Sequence, residues 1–384
     1  MNKKASKKLQ KSLIKKKKKN QKKLKKMENK PKPKKKGGFH TLSVNEKHHG
    51  KGQKTQSKKI VVPQIEKKKS ISEIKIPEIE IVNGTKYIAA TLKGKDDFGN
   101  PKTNQDKYIY CENIFNLENC NVFGILDGHG SNGHLVSDFC GEAIKKFFKE
   151  ESHFITKQNK TITKESLYQK LTQNNYSFLK KFYQNLQKEL IDASFDTHFS
   201  GTTCVIVYQI DNKIICANIG DSRAILINKK GEENEIIELS KDQKPTNPEE
   251  KKRIEESGGE IAPCDDEIDL DGPKRVWVKG EKFPGIAISR TLGDEVGKTV
   301  GVICTPEFIE KNLTSDSSYC IVASDGIWEF LSNDDVLRHI CKFLSNKDHN
   351  EMIKNLVKAS CLEWHNEGPG RDDISVVIHF FGNK

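Results

Sequence analysis

Asn121–Leu126 (NVFGIL) runs straight into Asp127-Gly128-His129-Gly130, and Tyr319–Ser324 (YCIVAS) runs into Asp325-Gly326. A third stretch, Gly370-Arg371-Asp372-Asp373, opens directly onto Ile374–Phe381 (ISVVIHFF). Apolar, β-branched runs of this length read as buried strands, and Asp-Gly at their ends reads as a tight turn. Glycine beside a carboxylate lets the backbone approach closely, which suits a hard-cation site. Three such carboxylates, far apart in sequence, meet only if the fold gathers those strand ends. An all-oxygen ligand set of this kind favours Mg²⁺ or Mn²⁺ over zinc or copper. Taken singly, each motif reads more readily as an ordinary structural turn than as a catalytic one.

The charge is unevenly distributed. The 384 residues carry a net +13, but residues 1–59 contain 24 Lys, no Arg and two Glu, a local +22 that leaves −9 for the remainder. A segment so poor in apolar residues does not offset its chain entropy, so residues 1–59 are expected to be a disordered Lys-rich tail. Its chemistry fits a polyanion, an import factor or an anionic membrane surface. The lack of Arg, and of aromatic residues beyond Phe39, argues against base-specific nucleic-acid readout. Residues 60–83 read as a linker able to add an edge strand, and residues 84–384 as one catalytic domain. The ten Cys form no C-x-x-C pair, which argues against a zinc site or a disulfide framework. No secretory or membrane-spanning stretch is visible, so a monomeric, soluble protein of the cytoplasm, the nucleus or both is expected.

Along the domain, Tyr87–Leu92 and Asp106–Cys111 read as strands. Gly133–Phe148 and Lys164–Ile191 carry helical periodicity, the second with Leu167, Leu171, Phe178, Phe182, Leu186 and Leu190 on one core-facing stripe. Thr202–Gln209, Lys213–Asn218 and Arg223–Ile227 form a meander. Asn247–Gly258 reads as a helix with an Asn cap and Pro248 at its first position. Ala262–Gly285 reads as loop, and Ser332–Leu344, capped by Ser332 or Asn333, and Met352–Glu363 as helices. Strands and helices follow one another without regular βαβ alternation, which favours α+β with antiparallel sheets.

Nine segments in order carry a resemblance to a known family: NQD (Asn104–Asp106), GILDGHGSNG (Gly124–Gly133), SGTT (Ser200–Thr203), ANIGDSRAIL (Ala217–Leu226), DQKPTNPEEKKRIEESGGEI (Asp242–Ile261), RVW (Arg275–Trp277), PGIAISRTLGD (Pro284–Asp294), IVASDGIWEF (Ile321–Phe330) and GRDDISVV (Gly370–Val377). Over roughly 300 residues from Gly84 on, the chain resembles the metal-dependent Ser/Thr protein phosphatases of type 2C. The resemblance implies a β-sandwich of two antiparallel sheets flanked by α-helices, with two Mg²⁺ or Mn²⁺ ions in the cleft between the sheets. Carried over by position, Asp127 bridges both ions, the Gly128 carbonyl contributes to one, and Asp325 and Asp372 bind the other. The implied substrates are phosphoproteins. Water held between the ions attacks phosphorus in line, and His129 is the general acid for the departing serine or threonine oxygen.

The chain also departs from the family pattern. Lys102 stands where many members clamp phosphate with Arg, offering a point charge without the bidentate fork. Gln105-Asp106 replaces Glu-Asp, removing one charge from the surroundings of the metal site. Glu329 stands where Asp often serves a weaker third metal, and Asp196 is the candidate partner for that site. Gly220-Asp221-Ser222-Arg223, Ser289-Arg290 and Gly293-Asp294 read as turn and framework chemistry. The stretch Ala262–Gly285 corresponds to a variable flap, and its acidic run (Asp265, Asp266, Glu267, Asp269, Asp271) invites basic phosphopeptides or the Lys-rich tail. Two rival readings remain: a scaffold with the same fold and no turnover, and a polyanion binder whose tail is the working part.

Overall fold

The structure, a computed structural model, describes residues 42–43, 59–60, 78–157, 161–230, 233–264, 272–344 and 348–381. Most of the Lys-rich segment, most of 60–83 and the acidic run 265–271 lie outside the described residues. The chain divides into two units, Met1–Lys68 and Lys69–Lys384. In the first, Leu42–Ser43 pairs antiparallel with Lys59–Ile60.

The second unit begins with β1 (Glu80–Asn83), β2 (Tyr87–Leu92), β3 (Asp106–Cys111) and β4 (Cys120–His129), followed by α1 (Gly133–Lys157) and α2 (Lys164–Ile191). Then follow β5 (Gly201–Thr202), β6 (Cys204–Ile210), β7 (Lys213–Ile219), β8 (Arg223–Lys230) and β9 (Glu233–Glu238). The expected meander does not form, because β6 and β7 pair but β8 crosses to a different sheet and pairs with β9 and Ser317–Ala323. Next come α3 (Pro248–Glu256), β10 (Gly259–Ala262), β11 (Arg275–Val278), β12 (Pro284–Ile286), β13 (Leu292–Gly293) and α4 (Glu295–Lys298). The chain closes with β14 (Glu307–Asn312), β15 (Ser317–Ala323), α5 (Asp325–Trp328), α6 (Asn333–Leu344), α7 (His349–Glu367) and β16 (Ile374–Phe380).

One sheet has the order β9-β8-β15-β16-β2-β1 and the other β13-β5-β4-β6-β7-β14, with β3 added on β4. Every pairing in both is antiparallel. The central strands are apolar on both faces because both faces are covered. In β15, Cys320 and Val322 join Phe123, Val205 and Val377 between the sheets. Ile321 and Ala323 of the same strand face outward onto Val336, Ile340, Ile353 and Leu356 of α6 and α7. On the opposite side, Leu126, Ile206 and Tyr208 pack against Val136, Ile144, Leu171 and Tyr183 of α1 and α2. The result is the expected α+β sandwich of two antiparallel sheets, with helices on both outer faces.

Four local expectations are corrected. In α2, Asn174, Asn175 and Tyr176 have positive φ, and this break re-phases the helix. Its second half therefore buries Leu179 and Tyr183, while Phe178 and Phe182 are only half-buried. Asn247 does not cap α3 with its side chain; its Nδ2 donates to the Asp242 carbonyl at 2.8 Å. The stretch Ala262–Gly285 is not wholly loop, because β11 pairs with β10 and β12 in a small third sheet. The last helix starts at His349 rather than Met352, since the Asp348 side chain accepts from the Glu351 amide. At α6 the cap is Ser332, whose Oγ accepts from the Asp335 amide at 3.2 Å.

Candidate active site

The two sheets deliver the acidic strand ends to one cleft. On the first sheet β15 and β16 are neighbours, with Ala323 opposite Val376, so Asp325 and Asp372 leave adjacent strand ends. On the second, Asp106 of β3 is the register partner of Asp127 on β4. Asp127, Gly128, Asp325 and Asp372 line a single cleft of ≈ 420 Å³ together with His129, Lys102, Gln105, Thr203 and Asp221. Gly128 is required by close packing: a β-carbon there would lie 2.4 Å from the Gly133 carbonyl oxygen and 2.6 Å from that of Gln105. Gly326 has the same constraint, since its β-carbon would lie 2.0 Å from the Asp373 carbonyl oxygen.

Negative charge here exceeds its compensation. Burial, then the charges of Asp106, Asp325, Asp372 and Asp221, raises the Asp127 carboxyl well above the usual range. Burial and the charges of Asp221 and Asp372 raise Asp325 in the same way. Asp106 is pushed up to about 7 by burial, Asp373 and Asp372. Two ammonium groups answer this cluster, Lys102 on Asp372 and Lys244 on Asp221. Burial lowers the pKa of each lysine, and the carboxylate beside it more than reverses that shift. Oδ1 of Asp106 and Oδ1 of Asp325 remain buried without a hydrogen-bond partner among the described residues. An unpaired buried acceptor is costly unless a cation completes it. Among the described residues no three His, Cys, Asp or Glu side chains form a finished ion cage. The donor set nonetheless fits a hard divalent cation: it is all oxygen, strongly anionic and short of partners.

In the same cleft, His129 Nε2 lies 2.6 Å from Oδ2 of Asp294, whose side chain is 1 % exposed. Burial lowers the His129 pKa, but the charge and hydrogen bond of Asp294 outweigh it and the net shift is upward. For Asp294 burial acts upward and is outweighed by His129 and Lys298, so its carboxyl is held below the usual range. Lys298 is itself brought down to about 8 by burial, and its Nζ donates to the Thr291 carbonyl at 2.7 Å and Oγ1 at 2.6 Å. An imidazolium held by a buried carboxylate is a proton donor fixed in place.

The protein phosphatase 2C family model matches residues 98–364, a span that contains every one of these cleft residues except Asp372. This chain belongs to that family. It is 31% identical over 296 residues to a probable protein phosphatase 2C (number 73) of Oryza sativa subsp. japonica, covering 72% of this chain and 69% of the relative. It is 27% identical over 310 residues to a probable protein phosphatase 2C (number 65) of Arabidopsis thaliana, with 78% of each chain covered. The fold matches a serine-threonine phosphatase 2C from Toxoplasma gondii with a TM-score of 0.64 at 19% identity, over 80% of this chain and 100% of that one. As a member of the 2C family, the chain is a Ser/Thr protein phosphatase of a metal-dependent class.

The structure brings most of the anticipated site residues together. Lys102 reaches Asp372 and lies 3.6 Å from Oδ2 of Asp373. Gln105 braces the His129 turn, its Nε2 donating to the Gly130 carbonyl at 2.8 Å. Asp106 is half-buried opposite Asp127 in the strand register and accepts from Ser324 Oγ at 2.9 Å. Two candidates stand elsewhere. Asp196 is exposed and accepts from the His198 amide at 2.9 Å, and Glu329 is exposed at the end of α5. Neither lines the cleft. Three contributors read from sequence as framework or left without a role are Asp221, Asp294 and Asp373. Asp373 accepts from the Gly94 amide at 2.5 Å and the Gln105 amide at 2.9 Å, fixing the loop that carries Lys102. Each sits in an otherwise apolar or glycine-rich segment, and that context is the one signal that marked them.

Proposed function

We propose that the cleft removes phosphate from phosphoserine and phosphothreonine, using divalent ions held by Asp127, the Gly128 carbonyl, Asp325 and Asp372. The supporting observation is the meeting of three strand-end carboxylates from two sheets, with buried carboxylate oxygens left unpartnered. Two Mg²⁺ or Mn²⁺ ions there would neutralise phosphoryl charge and make a water molecule more acidic near neutral pH. Lys102 then answers the phosphoryl oxygens as a point charge, sharing its ammonium with Asp372. Water approaches phosphorus opposite the serine or threonine oxygen; the new P–O bond forms as the ester P–O bond breaks. The departing alkoxide is a strong base and takes a proton from His129. Asp294 holds Nε2, which leaves Nδ1 as the donating nitrogen. Asp106 and Gln105 act by orientation rather than by contact with substrate.

The test is phosphate release from a phosphothreonine peptide with and without millimolar Mn²⁺ or Mg²⁺, beside an Asp127→Ala variant. Turnover that requires metal and disappears with EDTA and in the variant is expected. Well-folded protein that releases no phosphate under any metal condition would instead mark a scaffold.

A further inference from the structure

The cleft has two unlike kinds of lining. Besides the carboxylates it is lined by Phe199, Pro284, Ile286 and Ile288, with Arg275 tied to the Gly285 carbonyl at 2.9 Å. Ile286 and Ile288 are backed by a small separate core with Ile254, Val276, Val300 and Val302, so this part of the lining is set by packing rather than by a free loop. Phe199 is 40% exposed, and its ring stands edge-on to Phe283 with centroids 6.2 Å apart. Its backbone lies against the His129 turn: a β-carbon on Gly130 would sit 2.2 Å from the Phe199 carbonyl oxygen.

That position has a chemical meaning. A phosphate ester has two ends, the phosphoryl group and the oxygen that carries the peptide. The proton donor must reach the peptide-bearing oxygen, so side chains around His129 face peptide and those around Lys102 and Asp372 face phosphate. We propose that Phe199, with Pro284 and Ile286, forms a subsite for an apolar side chain flanking the phosphorylated residue, making the enzyme selective for apolar-flanked phosphopeptides. The inference rests on the phosphatase reading above and adds the class of substrate. The subsite is continuous with the cleft, is apolar apart from Arg275, whose guanidinium is held by the Gly285 carbonyl, and is preorganised by the core behind it, which favours binding without an ordering cost.

The test compares two phosphothreonine peptides that differ only in having leucine or asparagine on both sides of the phosphorylated residue, assayed with Mn²⁺. Wild-type protein is expected to favour the leucine peptide by about tenfold in kcat/KM, the scale of a few buried methylene groups. In Phe199→Ala the preference should fall to about twofold or less, and Phe199→Leu should keep most of it. Equal kcat/KM for the two peptides in wild type, or an undiminished preference in Phe199→Ala, overturns the subsite while leaving the phosphatase intact. No turnover of either peptide overturns both.

Discussion

Two acidic clusters in this protein have opposite fates. Behind the small third sheet, Glu250 accepts from Arg253 at 2.6 Å, from Arg290 at 2.5 Å and from Ser289 Oγ at 2.5 Å, and Arg290 also reaches Glu307 at 2.8 Å. Burial alone would raise the Glu250 carboxyl, but these partners outweigh it and bring its pKa down to about 2. In the cleft, Asp127, Asp325 and Asp106 are half-buried with their carboxyls largely shielded from solvent, and their pKa values move up, because their nearest charged neighbours are mostly other carboxylates. Burial acts in the same direction at both places, and the partners decide the sign. Where every acceptor is satisfied the chain has built structure. Where acceptors are left unsatisfied it has kept a place for something else.

The comparison breaks most visibly at Asp127. Asp127→Asn should lower kcat by about a thousandfold or more while raising the unfolding midpoint of the metal-free protein, because it removes one of several repelling charges. Steady-state kinetics and calorimetry in EDTA check the two halves. At the satisfied cluster the same kind of change acts the other way. Glu250→Gln leaves Arg290 buried against a weakened partner and should cost about 3–5 kcal/mol in denaturant unfolding.

The two clusters also differ in the sign of their pH dependence. Glu250 has a folded pKa of about 2 against an ordinary 4.5, so its contribution is present above 4.5 and lost as pH falls toward 2. Asp106 stands at about 7 against 3.8, so its contribution is whole below 3.8 and lost as pH rises through about 7. Metal-free protein should therefore lose thermal stability between about pH 4 and pH 7. Mn²⁺ should restore it, and more strongly at the higher pH, where protons no longer compete for the carboxylates. A metal-free melting curve that rises over this range would remove the basis for the contrast.

Smaller effects sharpen the division within the cleft. Asp294→Asn should slow a phosphothreonine peptide by about a hundredfold and p-nitrophenyl phosphate much less, because nitrophenolate departs without a proton. Equal losses on both substrates would assign Asp294 a purely structural part. Lys102→Arg restores a forked donor and should lower KM by only a fewfold with kcat little changed.

How much of this was legible in the sequence follows from the range of the interactions involved. The strands carrying Asp127 and leading to Asp325 were readable because burial on both faces leaves nearly unbroken apolar runs, but the Asp-Gly turns were misread: β4 continues through Asp127-Gly128 to His129, and Asp325-Gly326 opens α5. The break in α2 was not, because its apolar stripe continues through Asn174 and Asn175 as if the helix were straight. Asp221 and Asp294 read as turn residues because each is defined by a partner far away in sequence, Lys244 for one and His129 for the other. Asp196 and Glu329 were drawn in by their offsets from family motifs, and an offset carries no information about which way a loop carries the side chain.

The most direct test is Mn²⁺ binding to EDTA-stripped protein by titration calorimetry in buffers of different ionisation enthalpy, with Asp325→Asn beside wild type. The account predicts binding of more than one ion, release of protons from the carboxylates whose pKa values are raised, and a marked loss of affinity in the variant. Absence of binding at millimolar Mn²⁺, or binding without proton release and unchanged in Asp325→Asn, would contradict it.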